Sequence, residues 1–510
     1  MGIKLFLLVI FFAVMIGVGF YARRHAGSVD GFVLGGRSVG PWLTAFAYGT
    51  SYFSAVVFVG YAGQFGWKYG VASTWIGIGN ALIGSLLAWV ILGRRTKVMT
   101  QHLQAKTMPD FFGQRYESNA LKVAASLIVF IFLIPYTASI YNGLSRLFGM
   151  AFNIPYQVCV IVMAAFTAVY VILGGYMATA INDFIQGIIM LIGIVAVIAA
   201  VLSGQGGFMQ AISKIAELPS DIPATMGQPG AFTSFFGPDP INLLGVIILT
   251  SLGTWGLPQM INKFYAIRNE KAINTGTVIS TVFAFVVAGG CYFLGGFGRL
   301  FDNASIYNPE TGAVIYDSII PYMLSTLSDV LIGVVVILVL SASMSTLSAL
   351  VLTSSSTVTL DLLKGQFIKK MSEKKQIITM QCLIVVFIVI SVVIALNPGT
   401  IIAQLMGISW GALAGSFLAP FLYGLYWKGV SKAAVWASFV CGVGITVSNM
   451  FIKYIASPIN AGAIAMIAGL IVVPLVSMMT PKFKKEKINS IFACYDEEVV
   501  ITKKRSLQGE

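Results

Sequence analysis

Apolar runs of about twenty residues recur along the whole chain and limit what it can fold into. About thirteen such runs lie between Ile3 and Met479, and only 10% of the 510 residues are charged. A soluble chain carries about 25% charged residues. Inside a bilayer every backbone polar group needs a partner within the protein, which leaves helices and closed barrels, and runs of this length fit helices. The sequence therefore predicts an all-α polytopic membrane protein.

The basic residues follow the spans rather than forming one patch. The formal net charge of +13 would suit a nucleic-acid partner, but Lys and Arg concentrate in alternate loops, as the positive-inside bias predicts. We therefore expect a multi-pass protein of the plasma membrane, with its N-terminus outside, its C-terminus in the cytoplasm and no nucleic-acid partner. The main exceptions on the outer side are Lys68, Arg146, Lys214, Arg299 and Lys453.

Motifs for several other kinds of chemistry are missing from the sequence. No Gly-rich phosphate loop with a lysine occurs, which argues against a pump driven by ATP. The five cysteines have no metal-ligand or disulfide spacing and are expected to pack in the protein. Only two histidines occur and the spans hold no paired acids, which counts against an intramembrane enzyme. A channel remains an alternative that saturable uptake with counterflow would exclude.

Two of the predicted spans carry helix-breaking residues near their middle. The second span runs through Gly49-Thr50-Ser51, and the first span of the second half reads Ser251-Leu252-Gly253-Thr254-Trp255-Gly256-Leu257-Pro258-Gln259. Carbonyls and amides freed by such breaks must face protein, water or a ligand. The breaks lie about five spans apart, which points to an inverted-repeat transporter with its site at the membrane midplane. For either helix alone, a kink that only shapes packing is an equal alternative.

The stretch Ser341–Ala349 concentrates hydroxyl groups in the middle of the apolar run 319–363. Ser341, Ser345 and Ser348 fall on one helical face. Such a face offers oxygen ligands to a hard cation without placing a formal charge in the membrane. Small hydroxylated residues also let helices pack closely, and on this stretch alone that alternative is favoured.

Asp183 is an acid inside the apolar run 178–202, directly after Asn182. An acid in a span is costly, so a role in binding a cation or carrying a proton is the default hypothesis. An Asp that caps the start of the helix at the membrane interface is an equal alternative. Because the central parts of the helices hold no basic residue, a solute carboxylate would be met by helix N-termini and hydroxyl groups.

Several short motifs, all in the same order along the chain, resemble the sodium:solute symporter family, which includes proline, pantothenate, sialic-acid and sugar symporters. Each motif alone is weak, and the resemblance covers nearly the whole chain. The motifs are Phe32-Val33-Leu34-Gly35-Gly36-Arg37-Ser38, Pro109-Asp110-Phe111-Phe112, Leu173-Gly174-Gly175-Tyr176-Met177-Ala178, Asn182-Asp183-Phe184-Ile185-Gln186, Met344-Ser345-Thr346-Leu347-Ser348 and Tyr426-Trp427-Lys428.

The resemblance implies a LeuT-type fold, in which two five-helix repeats of inverted topology follow one extra helix and precede two more. Its division of this chain places the extra helix and a cytoplasmic loop at 1–38, the first repeat at 39–202 and an external loop at 203–239. The second repeat then covers 240–427, the last two helices 428–480 and a cytoplasmic tail 481–510.

The resemblance also implies a sodium ion between the unwound second span and the hydroxyl-rich helix. Its ligands would be the carbonyls of Thr50, Phe53 and Ala342 and the hydroxyls of Ser345 and Thr346. Some relatives have a second sodium site, which here would use Asp183 and Ser348 together with the same two hydroxyls. The last hydroxyl of that site is replaced by Ala349, which puts the second ion in doubt.

The solute is expected to be a small amino acid such as proline, or an organic acid, imported by alternating access. The segment Trp255–Gln259 is similar to the proline and organic-acid branches, and Thr254 stands where the sugar branch has a gating Tyr. Tyr52, however, stands where proline symporters carry an acid, and no Arg of the sialic-acid branch occurs around Tyr136. A sodium/sugar or sialic-acid symporter and a proton-coupled transporter using Asp183 remain alternatives. The candidate solute-binding residues are Tyr52, Ser54, Tyr136, Thr254, Trp255, Pro258 and Gln404.

Overall fold

The structure, a computed structural model, describes residues 2–368, 370–396 and 402–495, and these residues form helices and no β-strand. π-helical stretches continue some of the α-helices at Val56–Tyr61, Asn80–Leu87, Trp89–Gly93 and Val358–Phe367. The α-helices are Gly2–Ala22, Val29–Leu34, Pro41–Tyr52, Ala62–Tyr69, Thr74–Gly79, Arg94–His102, Met108–Arg115, Asn119–Phe152, Tyr156–Gly204, Phe208–Glu217, Pro240–Leu252, Pro258–Ala266, Glu270–Gly295, Tyr316–Ser325, Asp329–Thr357, Glu373–Ala395, Ile402–Tyr426, Lys432–Ile452, Pro458–Met479 and Lys485–Phe492.

Eleven helical stretches within the described residues are long and apolar enough to cross a membrane. Two of them, Val56–His102 and Tyr156–Gly204, are each long enough for two crossings. They break at Gly70 (φ 61°, ψ −142°) and Gly175 (φ 54°, ψ −148°), a backbone conformation that only glycine adopts readily. Each break adds one crossing, so the eleven stretches make thirteen spans, as predicted.

The spans are numbered in chain order, and the broken ones are named by their outer bounds. The second span is 41–69, the third 74–102, the fourth Asn119–Phe152, the sixth 176–204, the seventh Pro240–Ala266, the eighth Glu270–Gly295, the ninth Asp329–Phe367 and the eleventh Ile402–Tyr426.

The second and seventh spans are both interrupted, as predicted, but in the second span the break does not fall at its glycine. The second span leaves helical geometry at Phe53 (φ −92°, ψ 121°) and the seventh at Leu257 (φ −87°, ψ 120°), just before Pro258. The break in the second span lies two residues after the predicted Gly49-Thr50-Ser51. Gly49 itself is helical, and a Cβ there would lie 2.4 Å from the ring of Phe283. This glycine therefore serves close packing against the eighth span.

The ninth span is the central helix of the bundle, and every residue from Val335 to Thr357 except Ile337 is buried. It begins at Asp329, whereas the apolar run was predicted to continue from about residue 319. The residues Tyr316–Ser325 instead form a separate helix, and Ser328 (φ −63°, ψ 155°) is extended between the two. The two helices are thus separated within one continuous apolar run, so hydropathy alone does not predict the break between them.

The end of the bundle that carries the Lys- and Arg-rich loops, called the basic face, is held together by a partly buried ionic cluster. The Lys122 Nζ atom lies 2.8 Å from Asp110 Oδ1 and 3.1 Å from Asp361 Oδ1. Thr107 Oγ1 donates to Asp361 Oδ2 at 2.5 Å. These contacts join the start of the fourth span and the segment before it to the end of the ninth span. The adjacent tail, helix Lys485–Phe492, packs on the same face through Lys487–Glu117 at 3.1 Å.

We expect Lys122→Met to destabilise the folded protein by about 3 kcal/mol, because it leaves the carboxylates of Asp110 and Asp361 without their shared cation. Thermal unfolding of purified protein in detergent measures the effect. Lys364→Met is the matched control, since Lys364 lines a cavity of about 300 Å³ together with Lys122, and its ammonium donates to the neutral Gln376 amide alone among the described residues. Equal unfolding temperatures for the two variants would contradict the structural role of the cluster.

Candidate ion and solute site

The break of the second span lies directly against the ninth span. Ser345 Oγ is 3.0 Å from the Thr50 carbonyl oxygen and 3.0 Å from that of Ala342. Thr346 Oγ1 is 3.2 Å from the Thr50 oxygen, 3.1 Å from that of Phe53 and 3.1 Å from that of Ala342. Each of the three carbonyl oxygens predicted as sodium ligands therefore lies within hydrogen-bond distance of at least one of the two predicted hydroxyls.

The local sequence explains why these oxygens are available. The Thr50 and Phe53 carbonyls lie at the C-terminal end of a helix, where the last carbonyls have no helical partner. Both hydroxyl side chains are fully buried, so carbonyls and hydroxyls satisfy one another. Ser343, which the sequence analysis did not single out, fixes the contact, because the Ala55 amide donates to its Oγ at 3.2 Å.

The chemistry of this donor set fits a small hard cation. All five atoms are oxygens, the ligands that hard cations prefer, and none carries a formal charge. A cation at this place would replace the hydroxyl protons as the partner of the three carbonyls, and the hydroxyl lone pairs would complete its shell. Without a carboxylate in the set, such an ion would be held weakly enough to be released. We take these five residues as the candidate ion site.

A small cavity of about 20 Å³ lies between the second, third, seventh and eighth spans. Tyr52 and Thr254, both predicted solute-binding residues, line it together with Asn80 and Gly84. The Asn80 amide donates to the Tyr52 hydroxyl, and Ser251 Oγ donates to Asn80 Oδ1 at 3.1 Å. Thr254 Oγ1 donates to the Gly84 carbonyl at 3.0 Å. The cavity holds about one water molecule, so it is closed around its polar groups.

The other predicted solute-binding residues lie around this cavity in different roles. The Tyr136 ring packs edge-on against Trp410 with centroids 5.9 Å apart, and Trp410 in turn contacts Tyr52 at 5.7 Å. Ser54 Oγ accepts the Val56 amide at 3.2 Å within the break. Trp255 is turned to the third span, where its indole donates to the Ile83 carbonyl at 2.9 Å.

Of the last two predicted solute-binding residues, Pro258 lies at the break of the seventh span and Gln404 lies away from the cavity. Pro258 opens the second half of the seventh span, so the N-terminus of that helix begins at the break. Gln404 is half-buried near the start of the eleventh span and does not line the cavity. Asn80 was missed, although a lone Asn in the apolar run of the third span is a signal that could have found it.

Asp183 is fully buried in the sixth span, and it has a partner that the sequence did not reveal. Its Oδ2 lies 3.5 Å from Nζ of Lys263, whose side chain is 3% exposed. Lys263 sits within the second half of the seventh span, Pro258–Ala266. Asp183 lies eight residues past the break at Gly175, so it is too deep in the helix to be a cap.

Ser348, the other residue of the predicted second sodium site, bonds within its own helix. Its Oγ donates to the Ser345 carbonyl at 2.8 Å. Among the described residues, no hydrogen bond joins Asp183 to Ser345, Thr346 or Ser348. The structure thus gathers the first predicted ion site, and it pairs the acid of the second with an ammonium group.

Comparisons with known proteins agree with this architecture. The sequence profile described as SSF: Sodium:solute symporter family matches residues 32–442. A sodium/proline symporter of Staphylococcus aureus (strain JH9) is 30% identical over 498 residues, covering 94% of this chain and 92% of the relative.

Two solved structures share the fold. One is a Na+-coupled sialic acid symporter in a substrate-bound, outward-open state, with a TM-score of 0.76, 14% identity and coverage of 94% of this chain and 98% of that chain. The other is Mhp1, a nucleobase-cation-symport-1 family transporter in a closed conformation. Its TM-score is 0.54 at 14% identity, with coverage of 90% of this chain and 97% of that chain.

Fold and sequence together define a sodium-coupled secondary transporter of the LeuT fold that carries a small solute across a membrane. The chain belongs to the sodium:solute symporter family. The predicted family, fold class and coupling ion are thereby confirmed.

Proposed function

We propose that this protein imports a small amino acid such as proline, driven by inward sodium flow. The observation that carries the proposal is the meeting of five uncharged oxygens, from Thr50, Phe53, Ala342, Ser345 and Thr346, at the break of the second span. An ion held there joins the second and ninth spans. The solute class is supported by the relative named a sodium/proline symporter.

The solute reaches its site from the face opposite the basic face. A cavity of about 480 Å³ opens there and is lined by charged and aromatic groups that include Lys68, Asp239 and Arg299. The inner cavity of about 20 Å³ is too small for an amino acid, so the spans around it must separate before solute binds. With the basic face in the cytoplasm, the N-terminus lies outside, and the wide cavity is the extracellular vestibule.

Recognition of the solute combines hydroxyl, amide and helix-end groups. A carboxylate is accommodated at the N-terminus of the half-helix Pro258–Ala266, where backbone amides point outward from the helix start. Tyr52, Asn80 and Thr254 supply polar contacts on the other side of the cavity. The aromatic pair of Tyr136 and Trp410 lies behind Tyr52 and gives an apolar wall for a small ring or side chain.

The test is uptake by purified protein in proteoliposomes. We expect labelled proline to accumulate under an inward sodium gradient at equal pH on both sides, and unlabelled proline to compete better than sugars, sialic acid or carboxylates. Saturable uptake with counterflow distinguishes the carrier from a channel. Uptake that needs a proton gradient and ignores sodium would overturn the proposal and favour coupling through Asp183. If another solute competes better than proline, that solute replaces proline in the proposal, and sodium coupling still holds.

We expect Asn80→Ala to raise the proline concentration for half-maximal uptake roughly 10-fold at saturating sodium. The variant removes an amide that contacts both Tyr52 and Ser251 beside the cavity, and a hydrogen bond of this kind contributes about 1.5 kcal/mol. Uptake kinetics in proteoliposomes measure the change. Asn460→Ala is the control, because Asn460 bonds Asn242 at the exposed rim of the vestibule. Unchanged kinetics for Asn80→Ala would remove it from the solute site.

A further inference from the structure

Asp183 and Lys263 form a buried ion pair that the candidate ion site does not use. The side chains are 0% and 3% exposed, and their charged atoms are 3.5 Å apart. The pair joins the sixth span to the second half of the seventh span, one of the two broken helices. The Lys263 ammonium also lies 5.2 Å from the centre of the Tyr176 ring, a contact that favours a cation.

The charges of this pair balance without any bound ion. Neither carboxylate oxygen of Asp183 has a hydrogen-bond partner among the described residues, so the ammonium of Lys263 is the group that neutralises it. A charged side chain inside a membrane protein is costly and usually pairs with an opposite charge or with backbone carbonyls. A sodium ion added beside this pair would leave one uncompensated positive charge in a medium of low dielectric constant, which is strongly unfavourable.

The oxygen ligands for a second sodium ion are also incomplete at this place. A small cavity next to the pair is lined by Lys263, Tyr176, Thr179 and Ala349. Residue 349 lies one helical turn after Ser345 on the ninth span, and its methyl group offers no lone pair. A second sodium site therefore does not fit here, since one hydroxyl is replaced by a methyl group and the carboxylate is already paired.

We propose that the Lys263 ammonium is a tethered cation that takes the place of a second sodium ion at Asp183. The inference rests on the proposed sodium-driven uptake. It specifies the number of sodium ions transported with each solute molecule, which is about one instead of about two. The lysine stays with the protein throughout the cycle, so its charge contributes to the balance at Asp183 without being transported.

The experiment counts sodium ions in two ways. Equilibrium binding of radiolabelled sodium to purified protein gives the number of sites, and the reversal potential of proline flux in proteoliposomes gives the coupling ratio. We expect about one site and a ratio of about one for the wild type, and about two for Lys263→Met, because the unpaired carboxylate recruits a mobile cation. Adding Ala349→Ser to Lys263→Met restores the missing hydroxyl and should tighten the second site roughly 10-fold.

Asp183→Asn combined with Lys263→Met is the matched control, since it removes both charges and should keep the count at about one. Two sodium ions in the wild type would overturn the inference, and so would a folded Lys263→Met protein that still binds only one. Lys263→Gln, with the same expected count, replaces Lys263→Met if that variant does not fold. A wild type that takes up proline without sodium would instead overturn the proposed function, so the two failures are distinguishable.

Discussion

Replacing both Ser345 and Thr346 by alanine should raise the sodium concentration for half-maximal uptake roughly 100-fold. Each hydroxyl lies against the carbonyls of the second-span break, and a ligand to a charged partner contributes about 1.5 kcal/mol or more. Two such losses amount to about 3 kcal/mol, which is the stated change in affinity. Solute recognition at saturating sodium should persist, because neither side chain lines the solute cavity.

The measurement is proline uptake over a range of sodium concentrations, with folding checked by thermal unfolding. The matched control is Ser355→Ala with Ser356→Ala on the same helix. These hydroxyls are equally buried, and within the part of the chain that the structure describes they donate to carbonyls of their own helix alone, at 3.2 and 3.1 Å. The control should keep the sodium dependence of the wild type. A double variant of Ser345 and Thr346 with unchanged sodium dependence would remove these residues from the ion site.

Gly66→Ala should destabilise the protein by about 3 kcal/mol or more, and we expect little folded protein to be recovered. A Cβ at Gly66 would lie 1.9 Å from the Gly295 carbonyl oxygen, and a Cβ at Gly295 would lie 2.2 Å from the Ala62 carbonyl oxygen. The second and eighth spans therefore touch backbone to backbone. No side-chain rotation can relieve such a clash, because both atoms belong to packed helices.

The yield of monodisperse protein in detergent and its unfolding temperature measure this effect. Gly289→Ala is the control on the eighth span, since a Cβ there meets no atom within 4 Å, and alanine favours a helix over glycine by about 1 kcal/mol. We expect the control to be as stable as the wild type or more so. A normal yield of Gly66→Ala would contradict the close approach of these two spans.

Membrane burial made most of the fold readable from the sequence. Hydrophobic runs, basic loops and paired breaks led to thirteen spans and two interrupted helices, because a bilayer allows few other arrangements. The errors fall where hydropathy carries no information. Gly49 is helical and packs against Phe283, and the second span breaks at Phe53 instead. The extended backbone at Ser328 divides a run that is apolar on both sides. The boundaries of the two repeats stay predictions, and residues 496–510 of the tail lie outside the described residues.

The ion site was more accessible to prediction than the solute site. The hydroxyl spacing and the break could each be read locally, and only their meeting needed the fold. By contrast, Asn80 reaches Tyr52 from the third span, and Lys263 reaches Asp183 in the sixth span from the seventh. A lone Asn in an apolar run marks Asn80 as unusual but does not name its partner, and a lysine near the end of an apolar run resembles an ordinary loop residue.

The most direct test of the central claim is an experimental structure determined once in sodium and once with sodium replaced by a large organic cation. We expect a density peak in sodium alone, enclosed by the carbonyls of Thr50, Phe53 and Ala342 and the hydroxyls of Ser345 and Thr346. A second span that is helical without interruption, or a sodium-dependent peak elsewhere with these five oxygens left apart, would contradict the proposed ion site.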